Sequence, residues 1–221
     1  MENCFSFPEE GILLVDKPIG RTSFSLISAL RRKIQEKKIG HTGTLDPFAT
    51  GLMVLLIGKK YTVQAESFLG QDKEYRAAIC LGKKTDSYDI DGKEASTSLY
   101  EPTLEEVYQV VKNFTGELWQ VAPMFSAKKW KGKKLYDLAR KGITVERAPV
   151  KVEIKTTLLR YCYPFIHIHV CCSKGTYIRS LAHDIGEALG CGAYLHALRR
   201  TRIGSFLLKD AIRGTILYAH R

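Results

Sequence analysis

The sequence predicts an α+β fold, and three observations carry that reading. Short apolar runs bounded by glycine, proline and charge, such as Ile12–Val15 and Leu52–Ile57, have the length of buried strands. Other segments repeat apolar residues every three or four positions behind a capping residue, the mark of an amphipathic helix. Two strand-like segments, Val150–Leu159 and Phe165–Cys171, follow one another across Tyr161–Pro164 and read as a pair.

The elements follow in order. Residues 1–10 form a loose start, and the strand Ile12–Val15 runs into the turn Lys17-Pro18-Ile19-Gly20. Thr22 or Ser23 caps a helix from about Phe24 to Gln35. Leu26, Ile27, Leu30 and Ile34 make its apolar stripe, and Arg31, Arg32 and Lys33 bring positive charge to its C-terminal end. Leu52–Ile57 is a buried strand, Tyr61–Leu69 a short helix and Tyr75–Leu81 a strand. Asp86, Asp89 and Asp91-Gly92 make an acidic loop; it lacks the alternating carboxylates of an EF-hand and reads as turn chemistry. Thr103 and Glu106 form a capping box ahead of Val107, Val110 and Val111. Thr176–Leu189 is a helix with Ile178, Leu181, Ile185 and Leu189 facing the core, ended by Gly190 or Gly192. The last long strand, Leu195–Ile203, carries Arg199, Arg200 and Arg202.

The chain has 221 residues, enough for one large domain or two small ones. Lys and Arg number 34 against 23 Asp and Glu, a formal charge of +11, which points to nucleic acid first and an anionic membrane surface second. Six cysteines occur without a zinc-type pair, so reduced, buried thiols are expected. No signal peptide opens the chain and no apolar run reaches the roughly 18 residues of a membrane span, so a cytoplasmic protein is expected.

The richest stretch is Lys38-Ile39-Gly40-His41-Thr42-Gly43-Thr44-Leu45-Asp46-Pro47-Phe48-Ala49-Thr50-Gly51. Its glycines allow positive φ and a close approach of backbone to ligand. Asp46 is the one acid between Glu36 and Glu66. A lone carboxylate on a tight loop suits nucleophile or base work. Asp followed by Pro is equally a helix N-cap, and the residues alone leave both readings open. A second stretch interleaves cations and rings: Lys128, Lys129, Trp130, Lys131, Lys133, Lys134 and Tyr136. Such a surface tracks an RNA backbone, or is simply a solvated charge run. His167, His169 and Cys171 share a strand face but lack a fourth ligand, so a structural strand and no metal are expected. Gly58-Lys59-Lys60 fails the spacing of a phosphate-binding loop.

The Lys38–Gly51 stretch resembles the signature of the TruB family of bacterial tRNA pseudouridine synthases. Further blocks stand in the family's order: Gly11–Gly20, Lys73-Glu74-Tyr75-Arg76-Ala77, Cys172–Arg179 and Leu198-Arg199-Arg200. The resemblance implies the pseudouridine synthase fold, a mixed and largely antiparallel sheet with flanking helices and a central catalytic cleft. It implies a single catalytic domain over 1–221, with a thumb-like RNA-binding insertion at about 113–146. It also implies isomerisation of the T-loop uridine of tRNA, position 55, without a cofactor or metal. Asp46 would be the catalytic carboxylate, and Arg179 would hold it ionised and oriented. Tyr75 would stack on the flipped base, Tyr177 and Leu198 would line the pocket, and His41 would lie against the RNA. Lys17 would lie close to the active site. Lys17, Lys128, Lys129, Lys131, Lys133, Arg199 and Arg200 would contact RNA. Phe125 stands where the family commonly has Tyr. The family's small C-terminal PUA module is not expected in this chain; if the chain ends here naturally, contacts confined to the T arm are expected, and the protein is expected to be a monomer. The alternative is a basic RNA-binding or tRNA-remodelling protein without turnover.

Overall fold

The computed structural model describes residues 6–219; residues 1–5 of the expected loose start, Cys4 among them, lie outside the described residues. The elements run β1 (Gly11–Lys17), α1 (Ser23–Arg31), β2 (Ile39–His41), β3 (Thr50–Ile57), α2 (Lys59–Thr62), α3 (Ala65–Leu69), β4 (Lys73–Leu81), β5 (Lys83–Thr85), β6 (Glu94–Thr97) and α4 (Leu104–Asn113). They continue with β7 (Gly116–Gln120), β8 (Lys129–Trp130), β9 (Lys133–Lys134), α5 (Leu135–Ala139), β10 (Val150–Cys162), β11 (Phe165–Cys172), α6 (Ile178–Ala188), β12 (Ala193–Ile203), β13 (Phe206–Leu207) and β14 (Ile212–Arg213). Two compact units result. The first takes the chain up to Tyr75 and again from Arg199; the second is Arg76–Leu198.

In the first unit β3 is the central strand. It pairs antiparallel with β1 from Gly11↔Ile57 to Lys17↔Gly51, and with β2 from Ile39↔Ile57 to His41↔Leu55. β12 meets it in parallel at Arg199↔Thr50 and Arg200↔Gly51, and β14 lies parallel to β1. Leu52–Ile57 are fully buried. Leu52, Val54 and Leu56 form one face with Ile203, against Ile12, Leu14, Phe68 and Phe206; Met53, Leu55 and Ile57 form the other. Burial on both faces is why this strand reads as an unbroken apolar run, and each side chain contributes about 1.5–3 kcal/mol.

Two expected boundaries shift in this unit. Thr22 caps α1 by accepting from Ser25 N at 3.0 Å, but the helix stops at Arg31, short of Gln35. Lys37 folds back there and donates to the carbonyls of Arg31 (2.7 Å) and Ile34 (3.0 Å), satisfying acceptors that a helix end leaves open. The helix expected over Tyr61–Leu69 is two short ones, α2 and α3, interrupted where the β-branched, exposed Val63 stands.

In the second unit the strands lie in the order β4-β11-β10-β7. The expected hairpin is present: β10 and β11 pair from Ile154↔Cys172 to Cys162↔Phe165. β7 pairs with β10 from Val150↔Gln120 to Ile154↔Gly116. The α4 capping box is complete, with Thr103 N donating to Glu106 Oε2 at 2.7 Å and Glu106 N to Thr103 Oγ1 at 3.3 Å. Val107 and Val111 are buried, and α4 packs on β10. Strands β8 and β9 form a hairpin turning at Lys131-Gly132, both at positive φ. With α5 it surrounds a small core of its own: Met124, Leu135 and Leu138 against Ala139 and Val145.

The five described cysteines are free thiols, and Cys162 is exposed rather than buried as expected. Among the described residues, no helix is long and apolar enough to cross a membrane.

Candidate active site

Asp46 lies on the turn between β2 and β3. The Asp-Pro pair caps no helix: the loop bends through residues 47 and 48 and closes with Ala49 N on Asp46 O at 3.1 Å before β3 starts at Thr50. Tertiary contacts hold this loop. Ser23, the first residue of α1, accepts from Leu45 N at 2.8 Å and donates to Leu45 O at 3.0 Å. Gly20 N donates to Pro47 O at 2.9 Å. Lys17 Nζ donates to the carbonyls of Pro18 (3.1 Å), Arg21 (2.5 Å) and Pro47 (3.2 Å), so the ammonium ties the β1 turn to the residue after Asp46.

Two assigned RNA contacts are corrected here. Lys17 is 0% exposed and Arg200 1% exposed, so neither side chain reaches a phosphate; both belong to the interior beside the Asp46 loop. Burial brings the Lys17 pKa from 10.5 down to about 8, with the Asp46 charge opposing the fall and Arg200 adding to it. Burial first and Arg200 second hold His41 below its ordinary pKa, so its ring is neutral at pH 7. His41 is on β2, half-buried, and its Nδ1 and the Thr42 hydroxyl are buried without a hydrogen-bond partner. Tyr75 opens onto the same group from β4, 7% exposed, its hydroxyl bonded to the Arg200 guanidinium. Lys17, His41, Asp46, Tyr75 and Arg200 thus all belong to the first unit. Chemically, a half-buried carboxylate acts on the buried Lys17, which also feels Arg200, and Arg200 bonds the Tyr75 ring's hydroxyl.

Gly51 is where the fold leaves no choice of residue. Its φ is +103°, and an added Cβ would lie 2.3 Å from the Arg200 carbonyl oxygen. Glycine lets β12 meet β3 at this point and brings Arg200 beneath the loop.

The second unit holds the remaining assigned positions except Arg199, which belongs to the first. Arg179, at the start of α6 and 7% exposed, donates to Asp89 Oδ2 (3.2 Å), Ser87 O (3.4 Å) and Phe125 O (2.8 Å). Asp89 is itself buried and accepts from Ser87 Oγ at 2.5 Å and Asp91 N at 3.1 Å. The acidic loop is therefore more than turn chemistry: it supplies a buried counter-charge. Phe125 lacks a hydroxyl but serves through its carbonyl. Tyr177 is the N-cap of α6, held by Gln120, whose Oε1 accepts from Tyr177 N (2.6 Å) and whose Nε2 donates to Tyr177 O (3.0 Å). Sequence reasoning missed Asp89 and Gln120; each acts on a residue more than fifty positions away. Leu198 is buried on β12.

Lys129, Lys131 and Lys133 are exposed on the β8–β9 hairpin, and Lys128 is half-buried beside it. Lys129, Lys133, Lys134, Arg140 and Lys141 line a pocket of about 670 Å³ together with Asp137, Leu138 and Ile143. Lys131 Nζ sits 4.6 Å from the centre of the Trp130 ring. Arg199 is exposed but paired, donating to Asp16 Oδ2 at 2.7 Å and Thr50 Oγ1 at 3.3 Å. His169 and Cys171 adjoin on β11, Nδ1 to Sγ 4.0 Å.

Known structures share this fold. The chain in "Crystal Structure of a Cbf5-Nop10-Gar1 Complex" superposes with a TM-score of 0.70 at 26% identity, over 96% of this chain and 59% of that one. "Structure of H/ACA RNP bound to a substrate RNA containing 2'-deoxyuridine" gives 0.67 at 26%, over 96% and 58%. This chain thus spans about three fifths of those chains. Fold and loop together are those of a pseudouridine synthase. Residues 31–178 match the family described as "TruB family pseudouridylate synthase (N terminal domain)", and 179–218 match "tRNA pseudouridylate synthase B C-terminal domain". "tRNA pseudouridine synthase B" of Protochlamydia amoebophila is 56% identical over 209 residues, covering 95% of this chain and 80% of that protein. Its namesake in Chlamydia pneumoniae is 57% identical over 209 residues, covering 95% and 89%. The chain belongs to the TruB family.

Proposed function

We propose that this protein converts the T-loop uridine of tRNA, position 55, to pseudouridine, with Asp46 as the catalytic carboxylate. The observation that carries the reading is the Asp46 loop. It is pinned by Ser23, Gly20 and Lys17, and the buried charges of Lys17 and Arg200 act in its surroundings. Family membership supplies the reaction class, and the names of the relatives supply tRNA.

The reaction breaks the N1–C1′ bond of uridine and forms C5–C1′; the C5 proton is lost and N1 gains one. Substrate and product are isomers, so no redox partner, energy source or cofactor enters the balance. A carboxylate must act at the sugar, and the uracil must be held while it turns. Asp46 takes the first task. The Tyr75 ring takes the second by stacking, which is indifferent to the edge of the base. His41, neutral and with an orphaned Nδ1, meets the RNA beside the flipped nucleotide. Tyr177, Arg179 and Leu198 keep the roles the resemblance implies. The exposed lysines of the β8–β9 hairpin and Arg199 contact the T-arm backbone. The protein acts on tRNA as a monomer in the cytoplasm.

The test is to incubate unmodified tRNA with wild type and Asp46→Asn and map pseudouridine by carbodiimide-based primer extension. One T-loop stop is expected with wild type and none with the variant, at a tRNA affinity within about threefold of wild type. Turnover by Asp46→Asn, or modification elsewhere, defeats the assignment. Binding without any turnover by wild type would favour the RNA-remodelling alternative.

A further inference from the structure

Arg200 is buried, and the side-chain hydrogen bonds it makes go to neutral acceptors. Its Nε donates to Leu52 O at 2.8 Å; one terminal nitrogen donates to Gly43 O at 3.1 Å and lies 3.0 Å from Met53 Sδ. It also bonds the Tyr75 hydroxyl. Among the described residues no carboxylate pairs with it. A buried cation lacking an anionic partner is costly, and an apolar side chain would pack here without that cost. The groups it gathers come from three places: strand β3, the glycine three residues before Asp46, and the tyrosine of β4. On the loop side Gly43 has φ +89°, and a Cβ there would meet the guanidinium at ordinary contact distance, 3.5 Å.

We propose that Arg200 is a positioning residue for catalysis: it fixes the Tyr75 hydroxyl, and hence the stacking ring, against the loop that carries Asp46. Guanidinium has five donors and no acceptor, so the phenolic oxygen must accept from Arg200. The Tyr75 proton is thereby turned away from Arg200, and rotation of the hydroxyl is restricted. The two carbonyl bonds set the distance between the guanidinium and the loop. Burial excludes the alternative in which Arg200 meets a phosphate. The inference rests on the assignment of Asp46 and Tyr75 to uridine isomerisation.

The test is a double-mutant cycle of Tyr75→Phe and Arg200→Lys, read as single-turnover rate at saturating tRNA and as tRNA affinity. Each single variant is expected to slow the chemical step about tenfold or more, with affinity within about threefold of wild type. The double variant is expected within about threefold of the slower single one, because removing the hydroxyl already removes what Arg200 positions. Multiplied losses overturn the proposal, as does an affinity loss equal to the rate loss in Arg200→Lys. Where Arg200→Lys does not fold, the Nε–H resonance of Arg200 is compared between ¹⁵N-arginine-labelled wild type and Tyr75→Phe. A shifted resonance together with a slowed Tyr75→Phe supports the proposal. An unshifted resonance, or a Tyr75→Phe rate equal to wild type, overturns it. Wild-type turnover is the control: if it is absent, the functional reading fails while the resonance still reports the contact.

Discussion

Lys17→Met isolates the charge that the fold buries beside Asp46. At pH 7 two effects oppose one another. Lys17 is fully buried and its pKa falls from 10.5 to about 8, so holding it charged costs about 3 kcal/mol at about 1.4 kcal/mol per pKa unit. Methionine removes that cost but also removes three hydrogen bonds to the carbonyls of Pro18, Arg21 and Pro47. A single melt at neutral pH therefore says little. The pH dependence separates the two. The folded pKa lies below the unfolded one, so between about pH 8 and 10.5 the unfolded chain holds more protons on this residue. Stability rises with pH across that window: the cost is fully present below it and gone above it. Between about pH 7 and about pH 10 the gain is about 2–3 kcal/mol. Urea melts of wild type and Lys17→Met at matched pH give it as a difference in which the other titrating groups cancel. The wild type should gain on the variant by that amount. A difference constant to within about 0.5 kcal/mol would show that Lys17 is not a desolvated charge. Asp46→Asn should push the onset of the gain to lower pH, because the attraction that raises the Lys17 pKa is then lost.

Other outcomes follow from the same geometry. Gly51→Ala places a Cβ 2.3 Å from the Arg200 carbonyl at φ +103°, so β3 and β12 must separate; a loss of several kcal/mol in denaturant melts is expected, about 3 or more. Stability within about 0.5 kcal/mol of wild type would refute that close approach. Replacing Lys129, Lys131 and Lys133 by Ala should flatten the salt dependence of tRNA affinity by up to about 0.7–0.9 log units of slope per lost phosphate contact. An unchanged slope would leave the hairpin a solvated face.

Local elements were legible because their determinants lie within a few residues. Thr103 and Glu106 are three apart, and their capping box formed as read. Thr22 capped α1 through Ser25 N. The run Leu52–Ile57 became a strand buried on both faces, and the two segments around Tyr161–Pro164 paired. Where a helix end depended on a side chain folding back, as with Lys37 at α1, the boundary moved.

The sequence by itself determined the loop with its single carboxylate, the family it resembles and the basic hairpin, since each is a matter of residue type and spacing. Whether a charged side chain lies inside or outside is different, because it depends on acceptors supplied from far along the chain. Lys17 looked like a turn lysine or an RNA contact until Pro47, thirty residues on, supplied a carbonyl. Arg200 looked like a strand arginine facing RNA until Leu52 and Gly43, 148 and 157 residues away, enclosed its guanidinium. Asp89 looked like part of a turn until Arg179, 90 residues later, turned into it. Tertiary structure decided these positions because a buried charge is tolerated only where several distant polar groups converge to replace water.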